Sequence, residues 1–268
     1  MSILTPCPSR QNFFYKNHEK VQRESAGDPV TLPDGRVVRF EIATSEDVDL
    51  VSEQMLYGFV NQIGMYRAIG STEDDMRALF REMTVDSLSH DGTIMGFIDD
   101  DLVTLWVTKY FTKEDIVKNF GRRAEAGEKP VFEIPEDYGT IFDSMPWPNF
   151  NAKLIMTILT AVDEQWGKFM PDDLEKLSID EGIFVHDSLR GTKIGNQVLL
   201  RSQQLARNKG CNYTGMVAVA VASQKLAKKN GYELSFSLPF DKICVHGEYP
   251  IKDTWDGTTQ IEAVLKKL

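Results

Sequence analysis

The sequence predicts an α/β domain with a mixed sheet and helices on both faces. Two observations carry this reading. Runs rich in β-branched and aromatic residues alternate with segments of helical apolar spacing, as in "TIMGFIDDDLVTLWVTKYF" and then "NFNAKLIMTILTAVDEQWGKFM". In addition, an apolar run, a basic glycine-containing turn and a helix pattern follow one another directly in "IFVHDSLRGTKIGNQVLLRSQQLARNKG", Ile183 to Gly210. At 268 residues the chain has room for one large domain or two small ones.

Residues 1–35 mix charges with Pro6, Pro8, Pro29 and Pro33 and read as an N-terminal extension. A turn at Asp34-Gly35 then feeds a strand, Val37 to Ile42. Ser45, Asp47 and Asp49 mark an acidic helix start, and Val48, Val51, Met55, Leu56 and Phe59 follow at helical spacing. Thr72 with Asp75 three residues on is an acidic relative of the capping box and opens a second helix through Met76, Leu79, Phe80 and Met83. The two β-rich runs around the acidic turn at residues 99–101 make a hairpin. Residues 111–147 are charged, carry Pro130, Pro135 and Pro146, and read as an insertion beside the site. A long helix with Leu154, Ile155, Ile158, Leu159, Val162 and Trp166 on one face comes next. After Pro171 the order is a strand in "KLSIDEGIFVH", a helix to Lys209, a strand in "NYTGMVAVAV" and a short helix ended by Gly231. "YELSFSLPF" and "TQIEAVLKK" close the chain as strands.

Composition narrows the function. A net charge of −10 argues against a general nucleic-acid binder, which needs a basic face to displace counterions. No apolar run approaches the roughly 20 residues of a membrane helix, so no membrane partner is expected. The opening "MSILTPCPSRQNFFYK" lacks a cationic end followed by a long apolar core, so a secretory signal is not expected. Cys7, Cys211 and Cys244 are odd in number and far apart, which suits reduced thiols in a cytoplasmic protein. His18, His90, His186 and His246 are equally scattered, and no metal is expected.

The joint at Arg190–Asn196 is where ligand chemistry is expected. A helix that starts directly after a strand points free backbone N–H groups at the strand end, and its dipole adds partial positive charge there. Together these make an anion site. Gly191 and Gly195 let the backbone approach a pyrophosphate, and Arg190 and Lys193 add charge. A plain solvated turn has the same local pattern, so the residues alone leave both readings open. The P-loop string and the G-x-G-x-x-G fingerprint are both absent.

"VHDSLRGTKIGNQVLL" resembles the acyl-CoA loop of the GNAT superfamily of N-acetyltransferases, whose pattern is R/Q-x-x-G-x-G/A. Here it reads Arg190, Gly191, Thr192, Lys193, Ile194, Gly195, with Lys193 at the first pattern glycine. Downstream, "MVAVAVASQKLAKKNGYE" has Ser223, Lys229, Gly231 and Tyr232 in the family's order. With the acidic turn "MPDDLEKLSID" and the long region before it, the chain looks most like the animal arylalkylamine (dopamine-type) enzymes. The likeness covers residues 36–268, read as a single domain.

The resemblance implies a mixed, largely antiparallel sheet in which the strand near Ile183–His186 splays from the strand near Met216–Val219. It implies pantetheine in that gap beside Phe184 and Val185, and pyrophosphate on the N–H groups of Arg190, Gly191, Thr192, Lys193, Ile194, Gly195 and Asn196. It also implies Ser223 as a partner of the cofactor or the reacting centre. The co-substrate would be acetyl-CoA and the acceptor a small primary amine, an arylalkylamine among the options, acylated by direct transfer in a ternary complex. Phe59, Tyr66 and Phe80 would border the acceptor pocket. The family's glutamate base falls on Gln62 or Ile63 and its tyrosine acid on Ala227, none of which transfers a proton. The base candidates that remain are His186, Glu181 and Asp180. Glu181 shares strand parity with Ile183 and Val185, so it points to the cleft or pairs with a lysine. Two rival readings stand beside this one: a CoA-binding protein without catalysis, and an unrelated nucleotide-binding regulatory module.

Overall fold

The computed structural model describes Tyr15–Lys16 and residues 21–268. The rest of the expected N-terminal extension, residues 1–14 and 17–20, lies outside the described residues. The elements are β1 (Tyr15–Lys16), β2 (Val30–Thr31), β3 (Val37–Ile42), α1 (Val48–Gln62), α2 (Gly64–Ala68), α3 (Glu73–Leu88), β4 (Ile94–Ile98) and β5 (Asp101–Thr112). They continue with α4 (Lys113–Phe120), α5 (Gly139–Ser144), α6 (Phe150–Trp166), β6 (Lys176–Val185), α7 (Ile194–Asn208), β7 (Tyr213–Ala218), α8 (Val221–Lys229), β8 (Glu233–Pro239) and β9 (Gln260–Lys267).

One sheet runs β2-β3-β4-β5-β6-β7-β9-β8, with β1 against the start of β5. Only the β6–β7 pair is parallel among the described strands. The central strand β5, "DLVTLWVTKYFT", is buried along most of its length because helices cover both faces. On one face, Leu56, Leu79, Ile158 and Leu177 join α1, α3 and α6 in the larger core. On the other, Val198 and Leu199 of α7 and Ala227 of α8 pack on Phe40 and Trp106.

The helix starts follow their sequence signals. Thr72 Oγ1 accepts the Asp75 N–H at 3.2 Å, and the Asp75 carboxylate accepts the Thr72 N–H at 2.9 Å, closing the box. The same carboxylate accepts from the side chains of Asn149 and Asn151, which fixes the start of α6 against that of α3. Residues 21–35 belong to the packed body. Val30–Thr31 pairs with Val37–Val38, Leu32 is buried, and the Arg23 guanidinium forms a buried pair with Asp47 at 2.6 Å.

Residues 111–147 hold two short helices in otherwise irregular chain. The segment packs on α6, and its Asp137 carboxylate accepts N–H groups of Gly139, His246 and Gly247. Those bonds hold Asp137 well below the usual carboxylate range, at about 2.

Two departures from regularity in β6 prepare the site. Its pairing with β7 stops at Asp180↔Met216, so the ends of the two strands diverge as the resemblance implies. Its pairing with β5 steps from Thr108↔Asp180 to Val107↔Gly182, which leaves Glu181 as an extra, bulged residue.

Candidate active site

The divergence of β6 and β7 opens a cleft of 570 Å³. Its walls include Ile183 and Val185 of β6, Val217 of β7, Ser223 of α8, and Arg190 and Gly195 of the turn. His186 donates its backbone N–H to the Val103 carbonyl at 2.9 Å. Strand alternation then directs the backbone of Phe184 to β5 as well, and that of Ile183 and Val185 to the gap. The edge offered to a ligand is therefore Ile183 and Val185. Phe184 is corrected from the expectation: its ring packs edge-on to Tyr57 in the core, with centroids 6.2 Å apart.

In the turn, the N–H groups of Arg190, Thr192 and Asn196 expected on the pyrophosphate are instead bonded to the carbonyls of Asp187, Leu189 and Lys193 at 3.1–3.2 Å. Gly191 has φ +81° and Lys193 φ +65°, so two left-handed residues curl the backbone into the start of α7. The first helical bonds run from Asn196 and Gln197 to the Lys193 carbonyl, leaving the N–H groups of Lys193, Ile194 and Gly195 ahead of the helix's own bonding. Arg190 stands at the cleft in an ion pair with Asp187 at 2.6 Å. The Ile194 side chain is buried in the second core, so this residue offers only its backbone. These donors, with the extended edge of Ile183 and Val185, fit a pyrophosphate joined to an amide-bearing arm.

A smaller cavity of 200 Å³ continues beyond the cleft, and the two share Phe59, Asp180, Glu181, Val217 and Val219. Phe59 and Tyr66 line it, while Phe80 backs them, with its ring centroid 5.2 Å from that of Phe59. Burial raises the Tyr66 hydroxyl pKa and keeps it neutral. Lys109 crosses the cavity wall to Glu181 at 2.8 Å and Asp86 at 2.6 Å. Burial disfavours its charge, but these two carboxylates outweigh that and hold Lys109 above its ordinary pKa.

The base candidates separate. Glu181 stands where cleft and cavity meet, paired with Lys109 and accepting from Ser87 Oγ at 2.9 Å. The shared parity expected for it with Ile183 and Val185 fails, because the bulge breaks the alternation. Glu181 lies on the α3 face, and Ile183 and Val185 lie on the α7 face. Asp180 faces α7 and accepts from Trp106, Thr108, Ser202 and Tyr232 at 2.7–3.3 Å. Burial raises its pKa to about 6, and those bonds oppose the rise. His186 is not brought to either cavity. It is buried, and its Nδ1 accepts the Ser188 N–H at 3.1 Å to cap the turn after β6. Ser223 faces the cleft, with its hydroxyl donating to the Ala220 carbonyl at 2.9 Å. Gln62 and Ile63 both border the cleft, and Ala227 is buried below it.

Sequence reasoning missed three residues. Trp255 and Asp256 close one side of the cleft from the irregular segment before β9, which has neither period nor motif. Asp163 of α6 lines the inner cavity, and burial, reinforced by the charge of Glu181, raises its pKa to about 8. Its signal was present in the sequence: it extends the row Ile155, Leu159 at four-residue steps, an acid on the apolar stripe of the helix. Among the described residues, no group of three or more His, Cys, Asp or Glu is arranged to hold a metal ion. No helix there is long and apolar enough to cross a membrane.

An antiparallel sheet with one parallel, splayed pair and a basic turn at its mouth decides the fold. This is the GNAT N-acetyltransferase fold. The polyamine N-acetyltransferase of Drosophila melanogaster, which catalyses formation of N-acetylagmatine, superposes with a TM-score of 0.67 at 12% identity, over 86% of this chain and 100% of that one. Arylalkylamine N-acetyltransferase 2 from Aedes aegypti gives 0.67 at 16% identity, over 86% and 98%. A mosquito arylalkylamine N-acetyltransferase like 5b gives 0.64 at 15% identity, over 86% and 100%. No family model and no curated protein matches the sequence. The GNAT architecture thus persists here at identities where sequence comparison is silent.

Proposed function

We propose that the protein is an acyl-CoA-dependent N-acetyltransferase acting on a small primary amine. The observation that carries this is the meeting of two unlike cavities at the splay of β6 and β7. The larger has a basic turn and an open strand edge, while the smaller has aromatic walls and an excess of carboxylates. The first suits acetyl-CoA, and the second a cation with an apolar body. Neighbours of the same fold that act on polyamines or arylalkylamines support an amine acceptor.

In this reading the amides of Lys193, Ile194 and Gly195 and the Arg190 guanidinium hold the pyrophosphate. The strand edge at Ile183 and Val185 pairs with the pantetheine amides as an added strand would. The same edge donates to the thioester carbonyl as charge grows on its oxygen. Glu181 orients the amine where the cavities join, and Ser223 bonds to the acyl-CoA side of the cleft. Holding nitrogen beside thioester in a ternary complex supplies much of the rate.

Calorimetry with acetyl-CoA tests the cleft, and thiol release across tyramine, dopamine, polyamines and amino acids tests the reaction. Saturable binding at one site and release with at least one amine are expected. An added Cβ at Gly195 meets only Val185, at 3.5 Å, so the backbone there accepts a side chain, and the ring of Gly195→Trp would enter the cleft. Its acetyl-CoA affinity should fall by a factor of about 100 or more. Absence of saturable binding to the native protein would sink the reading. Binding without thiol release would favour a CoA-binding protein without catalysis, the rival that Gln62, Ile63 and Ala227 suggest.

A further inference from the structure

The inner cavity holds more negative charge than it pairs. Lys109 is committed to Glu181 and Asp86. Asp180 is engaged by four donors on the far face of the sheet. Asp163 remains: it makes no hydrogen bond or ion pair with any described residue, and it shares the cavity wall with Phe111, Phe120, Leu159 and Ile179. Asp163 is half-buried, and a carboxylate set against apolar walls is costly unless a cation or a proton meets it. The α1 residues at the meeting of the cavities, Phe59, Gln62 and Ile63, carry no group that titrates.

We propose that Asp163 receives the substrate amine: its carboxylate pairs with the ammonium group and takes the proton that must leave before nitrogen attacks the thioester. The inference rests on the acyl-CoA reading of the site. The ammonium gives one proton to the Asp163 carboxylate, which later releases it to solvent. The freed lone pair forms the N–C bond, the C–S bond breaks with its electrons on sulfur, and the second proton leaves nitrogen for the thiolate. Ammonium and thioester thus become amide, thiol and one proton in solution.

The environment suits the transfer. The titratable groups facing Asp163 are Tyr66 from α2, Asp86 from α3, Lys109 from β5 and Glu181 from β6, with Glu164 beside it on α6; the Asp180 carboxylate points to the other face of the sheet. Burial first, then the Glu181 charge, raise its pKa to about 8. Against an ammonium pKa near ~10, this improves the proton-transfer equilibrium about 10⁴-fold over an ordinary aspartate. Near neutral pH the free protein holds Asp163 largely protonated, so binding an ammonium displaces a proton.

The test titrates tyramine and agmatine into the CoA-saturated protein in buffers of different ionisation enthalpy at pH 7. Release of close to one proton per amine bound is expected, and none from Asp163→Asn. That variant should lose about 100-fold in kcat/KM with acetyl-CoA affinity unchanged. The native kcat/KM should climb with pH to a limb near 8 that the variant lacks, and Asp163→Glu should restore part of the rate together with the limb. A variant with native rate and native limb, amine binding without proton release, or binding of neither amine overturns the proposal. If acetyl-CoA fails to bind the native protein, the acyl-CoA reading falls instead, and proton release on amine binding alone still decides the role of Asp163.

Discussion

Lys193 adopts a left-handed conformation with a full side chain, where the acyl-CoA loop pattern has glycine. Such a residue costs roughly 1 kcal/mol over glycine. Lys193→Gly should therefore raise stability by about that amount in urea denaturation. The backbone N–H stays, so only the charge is lost. Acetyl-CoA affinity should drop by less than about tenfold at low salt, and the difference should fade at high salt. Asp163 gives a second prediction. Its folded pKa of about 8 lies above the ordinary 3.8, so the folded state holds the proton more tightly. Stability on its account is full below pH ~4 and falls as pH rises through about 8. Asp163→Asn should match the native protein near pH 4 in thermal melts and exceed it by roughly 3–6 kcal/mol above pH 8.

At the scale of elements, the seam between α4 and α6 is closest where α4 ends. Gly121 has φ +74°, and a Cβ there would lie 1.9 Å from the Glu164 carbonyl oxygen. Gly121→Ala must part the two helices and should cost ~2 kcal/mol by chemical denaturation. Because α4 and α6 wall the inner cavity, the variant should also lose amine binding while acetyl-CoA binding holds. Much of this level was legible in the sequence. Thr72 with Asp75, the hairpin around residues 99–101 and the strand-turn-helix at Arg190 are local signals, and local physics sets them. The bulge at Glu181 was not legible, because an extra residue in one strand shows only against its partner, and β5 lies some 70 positions earlier. Parity therefore assigned Glu181 to the wrong face. Asp163, by contrast, was legible, since it follows Ile155 and Leu159 at four-residue steps on the apolar stripe of α6.

At the scale of the whole molecule, the sheet has a core on each face, and the described N-terminal segment is tied to both: Leu32 joins the second, and Arg23 pairs with Asp47 beside the first. Arg23 and Asp47 are both 2% exposed in their side chains, and Arg23 also reaches Glu41 at 3.2 Å. Arg23→Ala leaves Asp47 buried without its cation and should cost about 3–5 kcal/mol, read from the urea midpoint. A loss well under that would mean the segment only rests on the domain. The shared wall of the two cavities has a consequence of its own. Phe59, Asp180, Glu181, Val217 and Val219 bound both chambers, so in the proposed reaction the acyl tail and the amine body must divide a single fixed space. Lengthening one donor then crowds out the bulkier acceptors, and selectivity becomes a property of the couple rather than of either reactant.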